Sequence, residues 1–241
     1  MPRVPILALE KIDSTNTEAR RRAEAGESGP LWITALRQTA GRGRRGRPWE
    51  TGEGNLAATY LFTTARKPAE AAQISFVAAL AAADLASRCV PPAKVSLKWP
   101  NDLLIAGKKA AGILAESGQG REGLWVAVGV GVNLAKAPVS PERPATTFAE
   151  HMSAPPPAPL DALTALAQAF DHWCGLWDGG GFGPIADAWT EKAYGIGERC
   201  VARLANETVE GIAEGLDSDG ALKLRIADGS VRRITAGDVF F

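Results

Sequence analysis

The stretch KVSLKWPNDLLIAGKKAAGILAESGQGREGLWVAVGVGV, residues 94–132, decides the fold. Its apolar runs cover 94–99, 103–105 continuing at 110–116, and 124–132, and only short turns separate them. Gly, Asn, Asp and Lys fill those turns, and connections this short join antiparallel neighbours. The stretch therefore predicts a largely antiparallel or mixed sheet, which we expect to carry its helices on one face.

The residues on either side of this stretch add further strands and helices to the same domain. Thr15 and Glu18 have the spacing of a capping box, which predicts a helix from about Thr17 to Gly26. Pro68 suits the first turn of a helix over 69–88, whose apolar stripe repeats every three to four residues. The remaining predictions are strands at 6–9, 31–36 and 55–62, a proline-rich connection at 137–159, and helices at 160–177 and 184–194.

From Gly197 onward the sequence pattern changes to short runs of alternating apolar and polar residues, which turn residues separate. Four strands are predicted there, at 201–204, 208–213, 221–226 and 231–234. This is the pattern of a small β barrel appended to a larger domain. We therefore predict an α+β protein with domains at 1–195 and 196–241.

Composition limits the functional classes. The chain has 241 residues, 46% of them hydrophobic, and its 27 basic and 27 acidic residues cancel to a net charge of zero. These values exclude wholesale disorder and argue against a generally basic nucleic-acid binder. Three cysteines without metal-ligand spacing indicate a reducing, cytoplasmic setting, and no segment suggests a signal peptide or a membrane span. Only two histidines occur, so Lys, Arg or carboxylates are expected to carry any catalysis.

The segment QTAGRGRRGRPW, residues 38–49, is the most informative for function. Five arginines fall within residues 37–47, and no acid lies among them. Glycines at 41, 43 and 46 let the backbone approach a ligand closely, and we expect the loop to be mobile until an anion binds. An exposed basic loop without a site is the alternative. Gln38 and Trp49 at the two ends favour a small ligand with a polar head and a flat ring.

Two further motifs are KWPNDL with GKKAAGIL, at 98–103 and 107–114, and GVGVNL, at 129–134. Lysines at a hairpin tip are usually only solvated, and Pro-Asn-Asp is a good turn. Gly129 and Gly131 lie on one face of a β-branched strand, where glycine weakens the strand unless a ligand or another backbone approaches it. A β-bulge is the alternative explanation for these glycines.

Together with Ser14-Thr15-Asn16, these motifs resemble the biotin protein ligases in order and spacing. The resemblance covers residues 10–135, and the small β domain fits the SH3-like second domain of that family. It implies a catalytic domain like those of class II aminoacyl-tRNA synthetases. It also implies ATP and biotin as substrates, with Mg²⁺ accompanying ATP. Biotin would be activated to biotinyl-5′-AMP and then joined to a lysine of a biotin carboxyl carrier domain, usually that of acetyl-CoA carboxylase.

The resemblance also implies residue roles. Lys109 and Arg44 would be the principal catalytic side chains, with Lys109 bridging the biotin carboxylate and the α-phosphate. Asp102 would orient or deprotonate the carrier lysine, or would only stabilise its turn. The implied biotin-binding residues are Ser14, Thr15, Asn16, Gln38, Gly41, Arg42, Gly43, Arg44, Lys109, Gly112, Gly129 and Gly131. The implied ATP-binding residues are Arg42, Arg44, Arg47, Trp49, Lys109 and Asn133, with Arg47 and Trp49 enclosing adenine. No protein ligand for a metal is predicted.

Other readings remain open at this stage. A lipoate ligase shares the implied fold and the acyl-adenylate intermediate, and a non-catalytic module could bind RNA or another anion through the arginine loop. Because the Ser14 motif begins thirteen residues from the start, we expect no DNA-reading domain and no DNA partner. A homodimer is possible, and the sequence does not distinguish it from a monomer.

Overall fold

A computed structural model describes residues 4–138 and 144–241 of the chain. The predicted proline-rich connection therefore lies partly outside the described residues. A seven-stranded sheet forms the centre, in the order β1-β2-β3-β7-β6-β5-β4. β1 and β2 run parallel and the other neighbours run antiparallel, which confirms the mixed, mainly antiparallel sheet. Its strands are β1 (Ile6–Ile12), β2 (Leu31–Gln38), β3 (Leu56–Thr64), β4 (Val95–Lys98), β5 (Asp102–Ile105), β6 (Lys108–Gln119) and β7 (Leu124–Val132).

Helices cover both faces of this sheet, and the expectation of a single helical face was wrong. The helices are α1 (Thr15–Glu24), α2 (Pro68–Ala71), α3 (Ile74–Cys89), α4 (Pro159–Gly180) and α5 (Phe182–Glu191). On one face, α1 buries Ala19 and Ala23 against Ile33 and other sheet residues. On the other face, α3, α4 and α5 enclose the larger core, which includes Trp32. The physical reason is visible in β2, where the first five residues are all buried, so this part of the strand is covered on both faces.

Two predicted helices differ in detail. The first begins at Thr15 with Ser14 as its N-cap, and Ser14 makes no side-chain cap bond. Thr15 therefore lies inside the helix and does not cap it as predicted, and its hydroxyl donates to Gln38. The helix predicted over 69–88 is two helices, α2 and α3. Together they reach the length and hydropathy of a membrane span, contrary to the sequence expectation, but 67% of that window is buried inside the protein. They therefore serve as core helices here.

The carboxy-terminal residues form a five-stranded antiparallel sheet in the order β11-β10-β9-β8-β12. This agrees with the predicted small β domain, although β12 was not predicted. The sheet packs directly against the larger domain. Across this contact, the buried indole of Trp99 donates a hydrogen bond to the Gly220 carbonyl over 3.1 Å. The strands are β8 (Arg199–Arg203), β9 (Thr208–Leu216), β10 (Leu222–Arg225), β11 (Val231–Ile234) and β12 (Asp238–Phe240).

Candidate active site

A cavity of about 700 Å³ opens on the face of the central sheet that carries α1. Residues paired directly across antiparallel strands share a face, so the pairing defines rows on the cavity floor. One row runs through Lys98, Asp102, Gly112, Gly131 and Ala57. The floor is thus charged at one end of this row and nearly free of side chains at the other.

Lys109 reaches this face because of a β-bulge. The register between β5 and β6 shifts between Leu103 and Leu104. In a regular strand, Lys109 and Gly112 would point to opposite faces, and a bulge re-aims one of them. A Cβ placed on Gly112 would lie 3.4 Å from the Lys109 Nζ. Lys109 forms an ion pair with Asp102, and both side chains are about three-quarters buried.

Two glycines of the floor are covered by protein side chains. A Cβ on Gly131 would lie 2.3 Å from the Trp49 indole, and a Cβ on Gly129 would lie 2.3 Å from the Asn16 Oδ1. Glycine is therefore required at both positions for the close approach of these two side chains. That the glycines also leave room for a ligand ring stays a prediction.

The polar end of the cavity is a hydrogen-bonded cluster at the start of α1. The Gln38 Oε1 accepts from the backbone nitrogen and the hydroxyl of Thr15, at 2.8 and 3.1 Å. The buried Thr59 hydroxyl lies 2.7 Å from the Asn16 Oδ1. The Gln38 Nε2 donates to the Thr51 hydroxyl, just beyond the arginine loop. These neutral groups can bind a polar, uncharged ligand head.

The arginine loop forms a small antiparallel turn over this cavity. Arg42 pairs with Pro48, and the Gly43 nitrogen donates to the Arg47 carbonyl over 2.7 Å. Arg44–Gly46 form a 3₁₀ turn in which Arg45 adopts a φ of 56°. Gly41 does not line the cavity; it lies at the base of the loop, where the Trp49 nitrogen donates to its carbonyl.

Cationic side chains converge on the charged end of the cavity. Burial is the main cause that lowers the pKa of Arg44, opposed by Asp238 and assisted by Arg45 and Arg47. Burial also lowers the pKa of Lys98, which lines the same cavity. Guanidinium groups stay protonated in proteins, so Arg44 remains a cation in a partly dehydrated site. This arrangement favours an anionic ligand.

The structure brings most predicted site residues to one cavity, but it does not show an Arg47–Trp49 pair. Arg47 points to Asp238, whereas Trp49 covers Gly131. Asn133 lines the cavity, and its buried Oδ1 has no hydrogen-bond partner within residues 4–138 and 144–241. It can therefore accept a bond from a ligand N–H or O–H.

Sequence reasoning missed several residues of this site. Lys98 stands inside a quoted motif and could have been chosen for that reason. Thr59, Glu116 and Asp238 carry no local signal, because each one reaches the site only through long-range packing. Thr146 lies in the predicted proline-rich connection. Its nitrogen donates to the Lys109 carbonyl, and its carbonyl accepts from the Asn133 amide.

Comparison with known proteins agrees with this geometry. Residues 8–133 match the biotin/lipoate A/B protein ligase family, and residues 195–241 match the biotin protein ligase C terminal domain. A biotin–[acetyl-CoA-carboxylase] ligase from Paracoccus denitrificans is 44% identical over 97% of this chain and 99% of the relative.

Two solved structures show the same fold. The biotin protein ligase from Aquifex aeolicus in complex with biotin and ATP has a TM-score of 0.80 and 25% identity, covering 98% of this chain and 97% of that one. The enzyme from Leishmania major in complex with biotinyl-5-AMP has a TM-score of 0.69 and 28% identity, covering 96% and 99%. This chain belongs to the biotin/lipoate A/B protein ligase family, with a carboxy-terminal domain of the biotin protein ligase type.

Proposed function

We propose that this protein activates biotin with ATP to biotinyl-5′-AMP and then transfers biotin to a lysine of a biotin carboxyl carrier domain. The observation that supports this most is the single cavity with a neutral polar cluster at one end and Lys109, Arg44 and Lys98 at the other. Biotin has an uncharged ureido head and a carboxylate tail, and ATP brings further negative charge to that tail. The residues of this chain match both ends.

The ureido head would bind at the start of α1. Asn16 donates both amide hydrogens to protein acceptors, so only its Oδ1 has capacity left for a ligand N–H. Ser14, Thr15 and Gln38 line the same end and complete the polar surroundings. The valeryl chain would then run across the glycine row toward Lys109, between the sheet and Trp49.

The first step joins two anions. An oxygen of the biotin carboxylate attacks the α-phosphorus, the bond to the bridging oxygen breaks, and pyrophosphate leaves. A cation about 4 Å from a phosphate gives roughly 4 kcal/mol at an effective dielectric constant near 20, but about 1 kcal/mol in water. Lys109 and Arg44 are held in a shielded cavity, so they suit the stabilisation of the charge that builds up on the phosphorus. Arg42 and Gly43 would cover the biotin tail and phosphates from the loop.

Asn133 and Trp49 would contact the nucleotide. The free Asn133 Oδ1 would accept a hydrogen bond from the ribose or the base, and Trp49 offers an aromatic face to adenine. Arg47 would contact adenine after leaving Asp238, while Arg45 keeps its own contact with Asp238 and so holds the loop.

The second step is attack of the carrier lysine amine on the acyl carbon, with AMP as the leaving group and loss of one amine proton. Asp102 is a carboxylate that lines the cavity, and it is already paired with Lys109. It would accept that proton, or it would act only by holding Lys109. The loop would keep water away from the acyl-adenylate until the carrier arrives.

Magnesium would enter with ATP. Among the described residues no group of three or more His, Cys, Asp or Glu side chains could hold a metal ion. Phosphate oxygens and water would therefore hold Mg²⁺ chiefly, and no protein ligand is assigned to it. The proposed partner is the carrier domain of a carboxylase, and the proposed compartment is the cytoplasm.

The test is to incubate the protein with ATP and either biotin or lipoate, and then to measure pyrophosphate release. Pyrophosphate release with biotin supports the proposal. Pyrophosphate release with lipoate but not with biotin would instead identify the protein as a lipoate ligase. Binding to RNA that falls steeply with salt, without turnover of ATP, would favour the non-catalytic alternative.

A further inference from the structure

Glu116 on β6 contacts two groups that belong to different parts of the proposed mechanism. Its Oε2 accepts a hydrogen bond from the Asn16 Nδ2 over 2.8 Å. Its Oε1 lies 3.3 Å from the Arg42 Nη2 in an ion pair. Asn16 belongs to the polar cluster at the start of α1, and Arg42 belongs to the arginine loop. One carboxylate therefore links the proposed binding site of the vitamin head to the loop.

The contact with Asn16 fixes the direction of its amide. The Nδ2 donates to Glu116 and to the Leu114 carbonyl, and the Oδ1 accepts from the Thr59 hydroxyl, which leaves it one lone pair. With both hydrogens directed at protein acceptors, a rotated amide would leave Glu116 facing an oxygen, which is unfavourable. Glu116 therefore keeps the Oδ1, the acceptor of the amide, available to a ligand N–H.

The contact with Arg42 holds the first half of the loop. Arg42 also approaches the Thr17 hydroxyl on α1, at 3.3 Å. Both the Arg42 and Glu116 side chains are partly exposed, at 40% and 33%, so their ion pair is weak on its own. A weak contact of this kind can be made or broken as the ligand arrives, whereas a strong one would hold the loop permanently.

We infer that Glu116 is a positioning residue that couples occupation of the biotin site to closure of the arginine loop. The inference rests on the proposed role of Asn16 in binding the ureido head. A ligand N–H on the Asn16 Oδ1 polarises the amide and strengthens its bond to Glu116, because hydrogen bonds in a chain reinforce one another. A carboxylate held more firmly is a better anchor for Arg42, so the loop closes over a filled site.

Two substitutions separate the two contacts. Glu116→Gln keeps an oxygen that can accept from Asn16 but removes the charge that attracts Arg42, and Glu116→Ala removes both. Glu122→Gln is the matched control, since it makes the same chemical change at an exposed position between β6 and β7.

The experiment measures biotin affinity by calorimetry and the rate of trypsin cleavage after Arg42, Arg44 and Arg45, with and without biotin. For Glu116→Gln we expect the protection by biotin to fall roughly three- to tenfold, and the affinity for biotin to fall by up to the same factor, because the coupling is reciprocal. For Glu116→Ala we expect both quantities to worsen, and the control should match the unaltered protein in both.

Full biotin-induced protection in Glu116→Gln would overturn the coupling. An equal loss of biotin affinity in both variants, with a lowered melting temperature, would show a merely structural role and overturn it as well. Failure of the unaltered protein to bind biotin would overturn the proposed function and this inference together, and it would be seen before any substitution is made.

Discussion

Arg47 and Asp238 lie 2.9 Å apart, from guanidinium Nη2 to carboxylate Oδ1, although 191 residues separate them in the chain. Arg45 contacts the other oxygen of the same carboxylate at 3.2 Å, and Arg44 donates to the Gly237 carbonyl at 3.3 Å. The carboxy-terminal sheet therefore holds the arginine loop over the cavity. On this geometry the small domain belongs to the active site.

Asp238→Asn tests this contact, because it removes one negative charge with little change in shape. We expect the loop to be held less firmly and the KM for ATP to rise by roughly three- to tenfold, with a smaller loss of biotin affinity. Steady-state kinetics of adenylate formation and calorimetry with biotin measure the two quantities. Asp228→Asn is the control, since Asp228 accepts a local hydrogen bond from Ser230 in the same sheet. Unchanged ATP kinetics in Asp238→Asn would contradict the holding role.

The same carboxylate predicts a pH dependence. Burial raises the pKa of Asp238, but the Arg47 hydrogen bond and the charges of Arg47, Arg45 and Arg44 outweigh it, so the pKa lies below its ordinary value of 3.8. A lowered carboxyl pKa contributes stability above the unfolded value and loses it as the pH falls through the folded value. We therefore expect the contact to persist at pH 4 to 5. A difference in melting temperature between the unaltered protein and Asp238→Asn that vanishes already in that range would refute this.

Gly129→Ala tests the polar cluster. The added methyl group would lie 2.3 Å from the Asn16 Oδ1, so the amide must move. We expect biotin affinity to fall by at least about tenfold and the free energy of unfolding to fall by roughly 1–3 kcal/mol. Gly175→Ala in α4 is the control, because its methyl group meets no atom within 4 Å, and there we expect a gain of about 0.5–1 kcal/mol. Normal biotin affinity in Gly129→Ala would mean that Asn16 does not bind the vitamin.

Asp102→Asn separates the two roles left open for this residue. If Asp102 holds Lys109, the substitution slows adenylate formation, and the transfer from preformed biotinyl-5′-AMP to the carrier is affected less. From their ion pair we expect this outcome, with adenylation lowered by roughly tenfold or more. Single-turnover assays of each step measure it. Slow transfer together with normal adenylation would instead assign Asp102 to the carrier lysine.

The sequence predicted the central sheet and the small β domain because turn residues and apolar runs are local signals. The site motifs were equally local, and the cavity brings Ser14, Gln38, Arg44, Lys109 and Asn133 together as expected. Residue roles within that cavity stay predictions.

What the sequence could not predict depends on packing between distant segments. The direction of the Lys109 side chain follows from a bulge in the pairing of β5 with β6, and no turn residue in the sequence indicates that bulge. The helix on each face follows from burial of both sides of β2. Asp238 lies on a three-residue strand, and it contributes to the site by binding arginines that are nearly two hundred residues away in the chain.

The most direct test of the account measures adenylate formation by Lys109→Ala in a single turnover, with Lys108→Ala as the control. Lys108 is the exposed neighbour on the same strand. If a fixed cation lets the carboxylate and the α-phosphate approach, Lys109→Ala should form biotinyl-5′-AMP at least about 100-fold more slowly. Biotin affinity should change by less than about tenfold, and Lys108→Ala should be near normal. Adenylation at a normal rate by Lys109→Ala would contradict the account.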